Sequence, residues 1–265
     1  MTASTNISSR RTARAGAIAA LWVLSMCGSA LSQVPDEAKR EFNRGVELTQ
    51  AKKADSAIAA YEAAIKIAPD YLQAHINVGA LYYDTGDMAQ AATHLNQAIA
   101  LDSNNVAALK SLGLVHLKAD EFDAAIQAFK RHNALNDNDA GVHLSLAQAY
   151  KKKNDSKSAL ASYQRAVALD PKDYRSFYNI GNIHQTAQRF EEAIAAFTKA
   201  IELNPDYVEA YYNRAISSQT LDMEECLPDW NAFLTVAKGK KKWSSQVKQA
   251  EEIVVQIREY LDSKQ

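Results

Sequence analysis

A spacing of thirty-four residues governs this chain. The stretch 38–71, AKREFNRGVELTQAKKADSAIAAYEAAIKIAPDY, lines up without a gap on 174–207, YRSFYNIGNIHQTAQRFEEAIAAFTKAIELNPDY, four spacings further on. Gly45 falls on Gly181, Ala57 on Ala193, Tyr61 on Phe197, Ala64 on Ala200 and Pro69 on Pro205. Self-similarity at a fixed period of this length marks a stack of helix-turn-helix units. No unit can bury its apolar face alone, so each must be covered by its neighbours. Only 9 glycines and 5 prolines occur in 265 residues, which suits long helices joined by few tight turns.

Six units follow in register: 38–71, 72–105, 106–139, 140–173, 174–207 and 208–241. Position 8 of each is small: Gly45, Gly79, Gly113, Ala147, Gly181, Ala215. Position 20 is alanine in the first five units (Ala57, Ala91, Ala125, Ala159, Ala193) and position 24 is a large apolar residue (Tyr61, Leu95, Phe129, Tyr163, Phe197). Small residues at 8 and 20 facing one another would let two helices approach closely, with the side chain at 24 filling the space beside them. In the sixth unit Cys226 and Trp230 take the small and aromatic roles, one residue early, behind a shortened loop. Pro69, Pro171 and Pro205 at position 32 stop the second helix. Asp102-Ser103-Asn104-Asn105 and Asn136-Asp137-Asn138-Asp139 make the same turn without proline. Gly86 ends one helix and Asp87 caps the next.

On these positions the chain resembles the tetratricopeptide repeat family, over most of its length. The resemblance implies an all-α fold, a right-handed α-solenoid of six helix-turn-helix repeats with a C-terminal capping helix. That helix is expected over 243–265, where Val247, Ala250, Ile253, Val254, Ile257 and Leu261 form one apolar stripe and Ser244 or Ser245 can cap the start. Its alternative role is dimerisation. In the family the first helices line a concave groove, with positions 2, 5, 6, 9, 12 and 13 pointing inward. Position 6 here reads Asn43, Asn77, Ser111, Ser145, Asn179, Asn213. An asparagine carries a donor and an acceptor and can pair with both groups of one peptide unit. The series is similar to the asparagine ladder of the peptide-binding arrays in O-linked N-acetylglucosamine transferases; the other reading is that asparagine is simply common at this position. Asn182 at position 9, Tyr178 and Tyr212 at position 5 and Tyr83 at position 12 complete the candidate peptide-binding set. It is densest in repeats five and six, where the side chains are expected to be largely solvent-reachable. The carboxylate clamp of co-chaperone tetratricopeptide domains is not expected. Asn182 and Asn213 match its asparagines, but Tyr178 stands where it needs lysine and no third repeat supplies the cations. Lys151, Lys152 and Lys153, with Lys118 and Arg175, form either a basic stretch of the groove or a solvated face.

No phosphate loop, CxxC, HExxH or nucleophile elbow occurs, and the histidines at packing positions 4 and 11 (His75, His143, His116, His184) are scattered over four repeats. No enzymatic activity, cofactor or metal is expected. The chain holds 30 basic and 31 acidic residues. Taking away Arg10, Arg11 and Arg14 of the leader leaves 27 against 31, which argues against nucleic-acid binding. Residues 1–32 read as a removed signal peptide: basic residues, then the uncharged Ala15 to Ala30, then Ala30-Leu31-Ser32 before Gln33. An uncleaved signal anchor, lipidation at Cys27 and a twin-arginine signal at Arg10-Arg11 are the alternatives. With 33–37 as a linker, the mature chain keeps Cys226 alone, a small buried residue with no disulfide partner. The expectation is thus a bacterial, exported, non-catalytic scaffold of the envelope or periplasm, without a membrane span in its mature form. It would bind a protein or peptide partner in its groove. The alternatives are a self-associating structural array and an accessory subunit of a separate envelope enzyme.

Overall fold

The structure, a computed structural model, describes residues 34–264. The leader, its cleavage site and Cys27 lie outside the described residues. The described chain is an all-α solenoid. Its helices come in consecutive pairs: α1 (Asp36–Gln50) with α2 (Ala54–Ile67), α3 (Leu72–Thr85) with α4 (Met88–Leu101), and α5 (Val106–Lys118) with α6 (Phe122–Leu135). Then come α7 (Ala140–Lys152) with α8 (Ser156–Leu169), α9 (Tyr174–Thr186) with α10 (Phe190–Leu203), and α11 (Val208–Leu221) with α12 (Leu227–Ala237). A 3₁₀ turn (Lys241–Trp243) leads to a last helix, α13 (Ser244–Asp262). No described helix is long and apolar enough to cross a membrane.

Three of the pairs are locked by a ring on a glycine, and in the second pair Leu95 lies on Gly79 in the same way. A Cβ added to Gly181 would sit 2.5 Å from the Phe197 ring, and one added to Gly45 would sit 2.6 Å from the Tyr61 ring. This corrects the expected pairing. The small residue at position 8 lies under the side chain at position 24, not chiefly against the alanine at 20. Ala57, Ala91, Ala125, Ala159 and Ala193 are nevertheless completely buried, because the second helix must lie close for its ring to reach the first.

The inner corners repeat with equal regularity. In the first five pairs a residue just past the end of the first helix adopts a left-handed conformation: Lys52 (φ 56°), Gly86 (φ 95°), Asp120 (φ 58°), Asn154 (φ 60°) and Gln188 (φ 57°). The following N–H then reaches back to the first helix, as Arg189 N does to His184 O at 2.9 Å and Asp155 N to Tyr150 O at 3.0 Å. This is the Schellman closure of a helix C-terminus. Aspartates start many of the next helices: Asp87, Asp139 and Asp155 each accept a backbone N–H three residues on.

The sixth pair departs from this corner. Cys226 and Trp230 are buried in the small and aromatic roles, as expected. The loop is not shortened, however. It spans 222–226, with Asp222 Oδ1 accepting from Glu224 N at 2.7 Å, and α12 begins late. Cys226 donates its thiol to Met223 O at 3.2 Å, and burial pushes its pKa up, so it is poorly suited to nucleophilic chemistry.

The two ends differ. At the start, α1 buries only Ala38 and Gly45, and no side chain caps it. At the far end α13 lays Ala250, Val254 and Ile257 against Trp230, Phe233 and Ala237, with Trp243 packed at the edge. Neither Ser244 nor Ser245 caps α13: its N-cap is Trp243, without a side-chain bond, because the 3₁₀ turn already feeds the helix.

Candidate peptide-binding groove

The first helices α1, α3, α5, α7, α9 and α11 carry the inward positions, and what their side chains do there differs along the array. In repeats five and six the expected site residues come together, but they bond mainly to one another. Asn213 Nδ2 donates to Asn182 Oδ1 at 2.7 Å and to Tyr178 Oη at 3.2 Å. The backbone carbonyl of Asn213 accepts from Gln185 Nε2 at 3.2 Å and from Ser217 Oγ at 2.9 Å. Tyr178 stands edge-on to Tyr207, ring centroids 5.1 Å apart. Tyr212 belongs to the C-terminal aromatic cluster, 5.1 Å from Phe233, 5.7 Å from Trp243 and 6.0 Å from Trp230. All five side chains, Tyr178, Asn179, Asn182, Tyr212 and Asn213, are half-buried. They are therefore not the largely free groups expected: Tyr178, Asn182 and Asn213 stitch α9 to α11, Tyr212 seals the end of the array, and Asn179 turns the other way, to Lys151 on α7. At the same end Glu209 pairs with Lys242 at 2.8 Å. Burial works to raise the Glu209 carboxyl, but the Lys242 hydrogen bond, a backbone hydrogen bond and the charges of Lys242 and Lys240 together hold the pKa below the usual value.

Asn43 and Asn77 stand apart from this cluster. Asn43 is exposed, whereas Asn77 is half-buried and donates to Tyr61 Oη at 3.4 Å. Tyr83 carries Lys118 above its ring, 4.4 Å from the centroid, and its carbonyl accepts from the same Nζ at 3.0 Å. The position-6 series does not bond into one ladder: Asn77, Asn179 and Asn213 are each tied separately to a neighbouring helix, and Ser145 bonds within its own.

The open space lies elsewhere. Between α5, α7 and α9 the structure forms a cleft of about 710 Å³. Leu117, Gln148, Lys151, Lys152 and Asn179 line it from the first helices, Asp120, Phe122 and Asn154 from the inner corners, and Tyr163 from below. Burial, with a smaller effect of Asp173, pushes the Tyr163 phenol up to about 12, so it faces the cleft floor as a neutral group. Lys151 Nζ reaches across to Asn179 Oδ1 at 2.8 Å, and Asn179 Nδ2 donates back to Arg175 O at 2.9 Å. Arg175 itself turns to Tyr174 Oη at 3.2 Å and does not line the cleft. Lys153 points away as well, paired with Asp123. Of the basic set singled out in the sequence, Lys151 and Lys152 thus face the cleft. The left-handed corners at Asp120 and Asn154 and the inward Gln148 complete it. Gln148 at position 9 and Leu117 at position 12 are inward in the repeat pattern, and that signal could have found them.

Among the described residues no group of three or more His, Cys, Asp or Glu converges as a metal site would. His75 and His143 are buried in their helix pairs; His75 Nε2 donates to Pro69 O at 3.0 Å and His143 Nε2 meets Asp137 Oδ1 at 3.0 Å.

Comparison with known proteins agrees with this architecture. The profile of a family described as the cilia and flagella-associated protein 70 C-terminal domain matches residues 45–218. No curated protein matches by sequence. Many solved structures share the fold. A crystal structure of MamA is 27% identical, with 61% of this chain and 94% of that one covered, at a TM-score of 0.60. YrrB, described as a tetratricopeptide protein with an unusual peptide-binding site, is 20% identical over 72% and 98% of the two chains, with a TM-score of 0.63. The Pseudomonas aeruginosa protein pilF is 12% identical over 82% and 97%, with a TM-score of 0.65.

Proposed function

The chain belongs to the tetratricopeptide family of the cilia and flagella-associated protein 70 C-terminal domain, and from that premise we propose that it is a scaffold binding a peptide or protein partner in its concave groove. The observation that carries this is the cleft between α5, α7 and α9, where amide and ammonium groups of consecutive first helices face one open space. Such helices are rigid supports, and a set of polar groups held on them can meet an extended chain at several points. The solenoid fold, and the kind of neighbour it has, also favour an interaction protein over an enzyme. For this chain we extend the reading to an exported protein of the envelope or periplasm, on the arginine, apolar and small-residue order of residues 1–32. N-terminal sequencing of the mature protein should then start near Gln33; a lipid-bearing start at Cys27 would give the anchored form, and an intact Met1 or Thr2 would remove the export reading.

The groove is tested by a pull-down from the native envelope with the mature chain as bait and mass spectrometry as readout. Parallel baits carry Gln148→Ala with Lys152→Ala in the cleft, or Lys199→Ala on the exposed face of α10. Partners should vanish with the first bait and remain with the second. The opposite pattern would move the binding surface off the groove. Light scattering on the free protein separates a self-associating array, whose mass would exceed one chain.

A further inference from the structure

The cleft between α5, α7 and α9 carries positive charge that the fold does not neutralise. Lys151 gives its ammonium to the neutral Asn179 amide. Lys118, on the same helix as Leu117, gives its own to a carbonyl and a ring at Tyr83. Lys152 is exposed and makes no ion pair among the described residues. Nearby acids are already engaged, Asp123 by Lys153 and Glu121 by His116 at 2.5 Å. Asp120 alone is left to face the cleft. By contrast Lys110, one repeat position away on α5, is matched by Asp139 at 2.7 Å. Inside the cleft Lys151 and Lys152 share the space with one carboxylate, Asp120, and among the described residues pair with no acid. A low-dielectric floor of Leu117, Phe122 and Tyr163 strengthens any charge placed there.

We propose that this cleft binds an acidic, extended peptide segment; the proposal rests on the groove reading above and names its partner class. A side-chain carboxylate of the peptide takes the Lys151 ammonium, a stronger acceptor than an amide oxygen. That exchange frees Asn179 Oδ1, which then accepts a backbone N–H of the same peptide. Lys152 meets a second carboxylate, Gln148 serves a second peptide unit, and Leu117 with Phe122 receives an apolar side chain between them. A peptide suits the cleft better than a nucleic acid. Two cations are few, Asp120 sits beside them, and the chain as a whole is slightly acidic.

The test is fluorescence anisotropy with the mature chain and two dye-labelled peptides, both amidated at the C-terminus. One is rich in glutamate; the other has every glutamate replaced by glutamine. At low salt the glutamate peptide should bind at least about tenfold tighter than its counterpart, and the gap should close in 1 M salt, where the screening length is about 3 Å. The double variant Lys151→Gln with Lys152→Gln should lose about tenfold or more for the glutamate peptide and little for the glutamine one. Both lysines are exposed, so circular dichroism should report an unchanged fold; Lys152→Gln alone gives the same sign should it not. Equal affinity for the two peptides would overturn the acidic assignment and leave the groove reading standing. Undiminished binding by the double variant would place the peptide elsewhere. Tighter binding of a single-stranded oligothymidylate than of the glutamate peptide would replace the peptide by a nucleic acid. Binding of neither peptide also overturns the assignment, while the groove reading is still judged by the pull-down.

Discussion

Two stretches of the same concave face make opposite use of polar side chains. In repeats five and six Asn182, Asn213 and Tyr178 bond to each other across helices, and Tyr212 is part of an aromatic cluster. In the cleft between repeats three and five, Lys151 and Lys152 have neutral partners or none, and Gln148 faces open space. The density of amides and rings along the sequence points to the first stretch, whereas the unspent bonding capacity lies in the second. The second stretch is thus where a partner can meet polar side chains without first breaking bonds that hold the fold together.

The largest expected effect tests the structural side. Tyr212→Ala should cost about 2–4 kcal/mol in denaturant unfolding, somewhat below a fully buried aromatic, because it uncouples Trp230, Phe233 and Trp243. A near-wild-type midpoint would return Tyr212 to the list of partner-facing residues. Asn213→Ala should cost about 1 kcal/mol, from the loss of its bonds to Asn182 and Tyr178; no loss at all would mean that those bonds add nothing to the fold and that Asn213 is free for a partner.

Acid should also weaken the fold. Burial, then Arg189, lowers the His184 pKa below its ordinary 6.5, against an opposing pull from Glu192. Burial, then His75, does the same to His94 in repeat two, against Glu62. A histidine held neutral in the folded state contributes its full stability above pH 6.5. As pH falls through that value the unfolded chain takes up the proton first, and the contribution is lost until the folded pKa is also passed. Stability should therefore decline as pH drops below about 6.5, and His184→Phe should flatten that slope. The smallest effect is expected at Lys152→Gln, within about 0.5 kcal/mol of wild-type stability. A larger loss would make Lys152 a structural residue like Asn213 and erase the contrast between the two stretches.

The spacing of thirty-four residues made the helix pairs legible, since the first five pairs repeat the same burial at positions 8, 20 and 24. It did not show what lies on Gly181. A small residue permits either a neighbouring backbone or a ring, and only the rotation of α10 brings Phe197 over it. The left-handed corners at Lys52, Asp120, Asn154 and Gln188 were hidden because none is glycine; the Schellman closure imposes the conformation on whatever residue stands there. Contacts such as Asn213 with Asn182 lie about one repeat apart in sequence. They depend on how neighbouring first helices are superposed, which no single repeat encodes. Cys226 and Trp230, by contrast, were readable one residue out of register, because volume and burial constrain them more than loop length does.

The array can come apart in pieces. Nearly all its contacts join helices adjacent in the chain, so it can open one pair at a time from an end. Among the described residues α1 is held by the buried Ala38 and Gly45 and by Phe42 against Tyr61 and Tyr71, and α13 by Ile257, Val254 and an aromatic floor. Stripping α1 and α2 would leave repeats two to six standing, and peeling off α13 would leave the six pairs. The cleft lies inside either remainder, so the molecule can lose an edge and still keep its hold on a partner.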